Sequence, residues 1–133
     1  MAFLIDTSIF IAIERSGGGP SDLLEDLDDE PVALSAITGS ELLHGVHRAD
    51  SAMRRIRREA FVERILSTFP VIPFTLEMAR VHSRIWADLQ AKGVVIGAHD
   101  LLIAATALTE DRTVATRNLR HFDRIPDLKT LSW

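Results

Sequence analysis

The sequence predicts an α/β fold built on a parallel sheet, and three observations point to it. Short strand-like runs recur at Ala2–Ile5, Val32–Ser35, Val71–Phe74, Thr113–Thr116 and Lys129–Trp133. The stretches between them carry apolar residues at helical spacing. The first run is continuously apolar rather than alternating, as a strand covered on both faces requires. Strands joined through helices favour parallel pairing with right-handed crossovers.

Taken in order, Ala2-Phe3-Leu4-Ile5 runs into Asp6-Thr7-Ser8, whose short polar side chains suit a helix start. A helix over Thr7–Arg15 turns Ile9, Phe10 and Ile13 inward and stops at Gly17-Gly18-Gly19-Pro20. Ser21 caps a second helix, Asp22–Asp28, whose acids sit near the positive end of the helix dipole. Pro31 breaks it ahead of the second strand. Thr38 or Ser40 then caps a helix with Leu42, Leu43 and Val46 on one face. Thr38 and Glu41 stand at capping-box spacing, which alone accounts for a glutamate there.

The next helix covers Ser51–Ser67, with Met53, Ile56, Ala60, Phe61, Ile65 and Leu66 as its apolar positions. Arg54, Arg55, Arg57, Arg58 and Arg64 make its other face either a solvated surface or one that meets RNA or a partner. Pro73 puts the third strand at a sheet edge or strand end, because proline cannot donate to a ladder. Thr75 caps a long helix to Lys92, with Met78, Val81, Ile85, Trp86 and Leu89 as the buried stripe, and Gly93 ends it. Val94–Gly97 is a connector. His99-Asp100 opens a helix, Leu101–Thr109, that is apolar nearly all round and therefore buried. Arg117–Phe122 forms a turn or short helix after the fourth strand.

Composition narrows the function. A chain of 133 residues implies one domain, 1–133, long enough to remove roughly two-thirds of its unfolded surface from water. With no cysteine, disulfides and thiolate metal sites are excluded. A reducing, cytoplasmic setting is the expectation, and any metal must be held by oxygen or imidazole. Asp6 interrupts the first apolar run too early for a secretion signal. The longest later run, Leu101–Leu108, falls far short of the roughly 20 residues that span a bilayer, so no membrane role is expected. A net charge of −4 provides no global positive field for nucleic acid, though local basic patches remain available.

The acids are the chemically informative residues. Asp6 follows the first strand, Glu41 lies just after the second, Asp100 heads the helix before the fourth, and Asn118 follows the fourth. Each has a bland explanation as a helix cap. Together they fall at the carboxyl edge of one sheet, where open α/β sheets bind ligands. Three carboxylates there repel one another. A hard divalent cation relieves that repulsion and supports displacement at phosphorus. Competing motifs are weak. The triple glycine follows a helix rather than a strand, and no phosphate-binding glycine signature is present. His44 and His47 read as exposed helix residues, His99 either tunes the acids or flanks them, and Ser8 has no base partner for nucleophilic chemistry.

Four ordered stretches, LIDTSIFIAI at 4–13, LSAITGSELLHGV at 34–46, IGAHDLLIAATAL at 96–108 and VATRNLRHFDRIPDL at 114–128, resemble the PIN-domain ribonucleases. The match is specifically to the VapC toxins of bacterial type II toxin–antitoxin pairs. The resemblance runs nearly end to end. It implies a single PIN domain, a three-layer α/β/α sandwich around a five-stranded parallel sheet. It also implies a Mg²⁺- or Mn²⁺-dependent endoribonuclease that cuts tRNA, rRNA or mRNA. Asp6, Glu41 and Asp100 match the family's catalytic acids, with Asp6 and Asp100 contacting metal and Glu41 acting directly, through water or by orienting the nucleophile. Asn118 matches a fourth position, often Asp in the family, where a neutral amide adds no charge for a second metal. Asp123 lies too far along the motif to take that place. Thr7, Ser8 and Thr116 become supporting hydroxyls.

By the same resemblance the partners are a VapB-like antitoxin and a second copy of the chain, with the stripe on Thr75–Lys92 contributing to the homodimer. The antitoxin tail would lie in a groove lined by Ile9, Ile13, Leu23, Leu24, Leu43 and Val46, most of which read equally as plain core. The alternatives are a catalytically silent RNA- or protein-binding module of this fold and a related metal-dependent DNA nuclease. Clustered charge favours the enzyme, because a scaffold has no need of it.

Overall fold

The computed structural model describes residues 1–133. Five strands form one parallel sheet: β1 (Phe3–Ile5), β2 (Val32–Ser35), β3 (Val71–Ile72), β4 (Thr113–Thr116) and β5 (Thr130–Ser132). Their order is β3-β2-β1-β4-β5, and every neighbouring pair is parallel. Six helices connect them: α1 (Thr7–Arg15), α2 (Pro20–Asp26), α3 (Ala36–His47), α4 (Ala52–Thr68), α5 (Leu76–Ala91) and α6 (Ala98–Thr109). The α/β class and the five strands are borne out; the third strand lies at the sheet edge but is shorter than expected, ending at Ile72 just before Pro73.

The sheet divides the core into two layers. Phe3, Ile5, Phe10, Ile13, Leu34, Val62 and Ile65 belong to one. Leu4, Ala33, Ile85, Leu89, Ile103, Val114 and Phe122 belong to the other. Successive residues Phe3, Leu4 and Ile5 alternate between them, as the pleat dictates. Burial on both sides explains why this strand shows no polar alternation. α6 is buried over most of its surface, as its composition predicts.

Several local expectations are overturned. The second helix starts at Pro20 rather than Asp22: proline occupies the first helical position, where its missing N–H costs nothing. The Gly19 N–H donates to the Asp22 carboxylate at 2.9 Å. The third helix is capped by neither Thr38 nor Ser40. Ser35, the last residue of β2, caps it by accepting the Thr38 N–H at 3.1 Å. The Thr38–Glu41 capping box therefore does not form, and Glu41 lies inside the helix.

In α4 the expected apolar stripe fails over its first half. Met53 and Ile56 are 61% and 66% exposed, because only the C-terminal half packs, through Val62 and Ile65. On α5, Trp86 is exposed while Met78, Ile85 and Leu89 carry the contact. Gly93 takes φ +70° just past that helix, a conformation that favours glycine.

Candidate active site

Asp6, Glu41, Asp100 and Asn118, separated by up to 112 positions in the chain, line one open cleft of about 470 Å³ at the carboxyl edge of the sheet. Thr7, Ser8, Ile11, Gly97, His99 and His121 complete its wall. The strand order explains the convergence. β1 is central, and the connections from β2 and β4 leave it on opposite sides, opening a crevice at the strand ends.

Each acid is freed from the structural role that would account for it. Asp6 stands at the N-cap position of α1, yet its side chain makes no capping hydrogen bond. Instead, Oδ2 accepts from Ser8 Oγ at 2.7 Å and from Thr116 Oγ1 at 2.9 Å. Two hydroxyls thus fix a buried carboxylate while Oδ1 stays free of protein donors. Ser8 Oγ in turn accepts the Arg117 N–H, and Thr116 Oγ1 accepts the Asn118 N–H. This ties the loop after β4 to β1.

Glu41 accepts from Thr7 Oγ1 at 2.7 Å through Oε1, and its Oε2 lies 3.5 Å from His99 Nδ1. Asp100 is in the first turn of α6, where the Gly97 cap makes no side-chain bond. Its Oδ2 lies 3.2 Å from His121 Nδ1. Gly97 leaves it room, since an added Cβ would come within 3.2 Å of that oxygen. The hydroxyl residues singled out in the sequence are therefore all engaged with the acids. His121 was missed. It belongs to a 3₁₀ turn at Leu119–His121, and only the closure of the sheet brings that turn beside α6.

The acids also interact through charge. Burial, followed by the Asp6 and Glu41 carboxylates, holds the Asp100 carboxyl above its ordinary pKa of 3.8, while the neighbouring His121 opposes this. The raised value makes the folded state hold its proton more tightly than the unfolded chain does. The associated stabilisation is complete at low pH and is lost as pH rises through the ordinary carboxylate range to the folded value. Without added divalent cation, Asp100→Asn should therefore be more stable than the wild type at neutral pH, with the gap narrowing as the pH falls. Urea unfolding across a pH series measures this; a wild type more stable than the variant at neutral pH would refute it.

The donor set is oxygen-rich, negatively charged and open to solvent. No three acidic or histidine side chains form a ready-made coordination cluster. The carboxylates share a cleft but do not close around a point, which is looser than the sequence led us to expect. Such an arrangement fits a hard cation that keeps several of its own waters, as Mg²⁺ does, better than one needing a complete protein cage.

The expected apolar groove is also relocated. Ile9, Ile13, Leu23 and Val46 are sealed in the core, and Leu43 faces elsewhere. The groove beside the acids, about 310 Å³, is instead walled by Phe10, Ile11, Leu42, Phe61 and Val62, with Arg15, Arg48 and Arg58 among its charged residues. It meets the acid cleft at Thr7, Ile11 and Glu41.

A PIN-domain family model matches residues 3–128. Ribonuclease VapC1 of Rickettsia felis is 39% identical over 132 residues, 99% of this chain and 96% of that protein. A tRNA(fMet)-specific endonuclease VapC of Salmonella typhimurium is 30% identical over 135 residues, 100% of this chain and 98% of that protein. Among solved structures, the VapBC2 complex of Rickettsia felis bound to a DNA fragment from its promoter has a chain that superposes with TM-score 0.88 at 27% identity, covering 100% of this chain and 99% of that one.

Proposed function

We propose, from the premise that this chain belongs to the PIN-domain family and to its VapC branch, that it is the toxin of a type II toxin–antitoxin pair. Its activity is endoribonucleolytic, and the Salmonella relative's name makes tRNA the first substrate to try. One observation carries this reading. Three acids distant in sequence line one cleft, and none of them is used to cap a helix.

Asp6, Asp100 and Glu41 are the residues that would hold Mg²⁺ or Mn²⁺, whose contribution when bound is to offset phosphate charge and make water more acidic. Ser8 and Thr116 hold Asp6 through Oδ2, which leaves Oδ1 without a protein donor and available to a cation in the cleft that Asp6 lines. Thr7 occupies Glu41 Oε1, and Oε2, which has only the His99 ring 3.5 Å away, is the oxygen that would accept a proton from the attacking water. Asn118, anchored through its backbone N–H, presents a neutral amide at the rim. The groove beside Glu41, apolar with arginines at its edge, is the surface that suits a segment of the antitoxin. Its overlap with the cleft at Thr7, Ile11 and Glu41 gives such a segment a direct route to block the acids.

The test is incubation of purified protein with total tRNA, rRNA and mRNA, with Mg²⁺, with Mn²⁺ and with a chelator, followed by sequencing of the new RNA ends. The expected result is cleavage at defined positions that the chelator abolishes. Intact RNA in both metals would overturn the reading.

A further inference from the structure

The acid cleft does not end at His121. A second hollow of about 600 Å³ continues from it across Gly97, Asp100 and His121, and Arg120, Asp123, Arg124, Val95 and Ile96 form the rest of its wall. The charge changes sign along this path, from carboxylates at one end to two arginines at the other. Arg120 has no carboxylate within ion-pairing distance. Arg124 donates only to the Val95 carbonyl, at 3.2 Å, which fixes the guanidinium against the 95–97 connector without neutralising it. Over the whole wall Asp100 and Asp123 balance the two arginines, but at the end away from the acid cleft Arg120 and Arg124 stand against Asp123 alone, which leaves that end cationic. At the rim stands Val95, 83% exposed, an apolar side chain to which the fold assigns no packing.

From this juxtaposition, and resting on the ribonuclease reading above, we infer that the hollow is the track for the single-stranded RNA segment flanking the scissile phosphate. Arg120 and Arg124 bind the next backbone phosphate, and the Val95 rim receives the attached base. A base splayed from its stack can pack against an apolar side chain and a guanidinium plane together, whereas a paired base offers no free face. The acid centre needs such a neighbour, because carboxylates alone repel a polyanion. The arginine-rich helix α4 is the rival surface, and it is less suited. Arg54 is paired with Asp50, and Arg58 is held by Glu14 and the Gly45 carbonyl. Neither arginine faces the acid cleft.

The test compares wild type, Arg120→Ala/Arg124→Ala and Arg55→Ala/Arg57→Ala on total tRNA, the last being an α4 control. Cleavage kinetics should show KM raised about tenfold in the cleft double variant with kcat within about twofold. Binding of the same tRNA, measured in the Asp6→Asn background over a range of salt, should show a salt slope reduced by roughly 0.7 for each phosphate contact removed. Val95→Asp should raise KM without changing the fold. An unchanged KM and salt slope in the cleft variant, or a reduction confined to the α4 control, overturns the inference. If the wild type cleaves no RNA at all, the ribonuclease reading fails instead, while the salt slopes still report which surface holds the strand.

Discussion

Asp6→Asn and Asp100→Asn are each expected to lower RNA cleavage by on the order of 10²–10⁴-fold while leaving the protein folded. Both substitutions keep the size of the side chain and remove its charge. At position 6 the Asn oxygen can still accept from Ser8 and Thr116, so the link between β1 and the loop after β4 is retained. What is lost is the negative charge of a carboxylate that lines the cleft. At position 100 the lost charge is one that Asp6 and Glu41 already disfavour, so loss of activity should accompany unchanged or greater stability. Timed cleavage of tRNA and urea unfolding on the same preparations separate the two effects. Wild-type cleavage by either variant would remove the acids from the mechanism.

Thr116→Val is expected to act in the opposite sense on stability and in the same sense on activity. Thr116 is fully buried. Its hydroxyl donates to Asp6 and accepts the Asn118 N–H. Valine matches its shape and suits a strand, so β4 itself should persist. The Asn118 N–H loses its partner, and because that residue is exposed and water can replace the hydroxyl, the cost is about 0.5–1.5 kcal/mol. Asp6 loses one of its two anchors, and removing a group that orients a catalytic carboxylate typically lowers activity by roughly 10–100-fold. Thr116→Ser keeps the hydroxyl and should restore most of the cleavage. If Thr116→Val cuts RNA as the wild type does, the hydroxyl does not position Asp6.

Much of this arrangement was legible in the residues. The run Phe3-Leu4-Ile5 lacks polar alternation because both faces are covered, and Asp6 follows it directly. What the sequence left open was the role of each acid. Position alone allows Asp6 and Glu41 to cap helices. Only three-dimensional contacts show that Ser35 caps α3 and that Ser8 and Thr116 claim Asp6. Apolar spacing misled where a helix outruns its support: Met53 and Ile56 keep the period of α4, but nothing packs over them. His121 could not be paired with Asp100 from spacing, because their proximity is made by the fold between α6 and the turn beyond β4.

The Thr116–Asp6 hydrogen bond spans 110 positions of sequence. Asp6 is synthesised well before its second anchor, which arrives only with β4. A nascent or prematurely terminated chain lacks that strand and the turn bearing His121. The RNA-cutting centre proposed here is therefore completed only when β4 has docked beside β1, so its assembly depends on the most long-range pairing of the sheet.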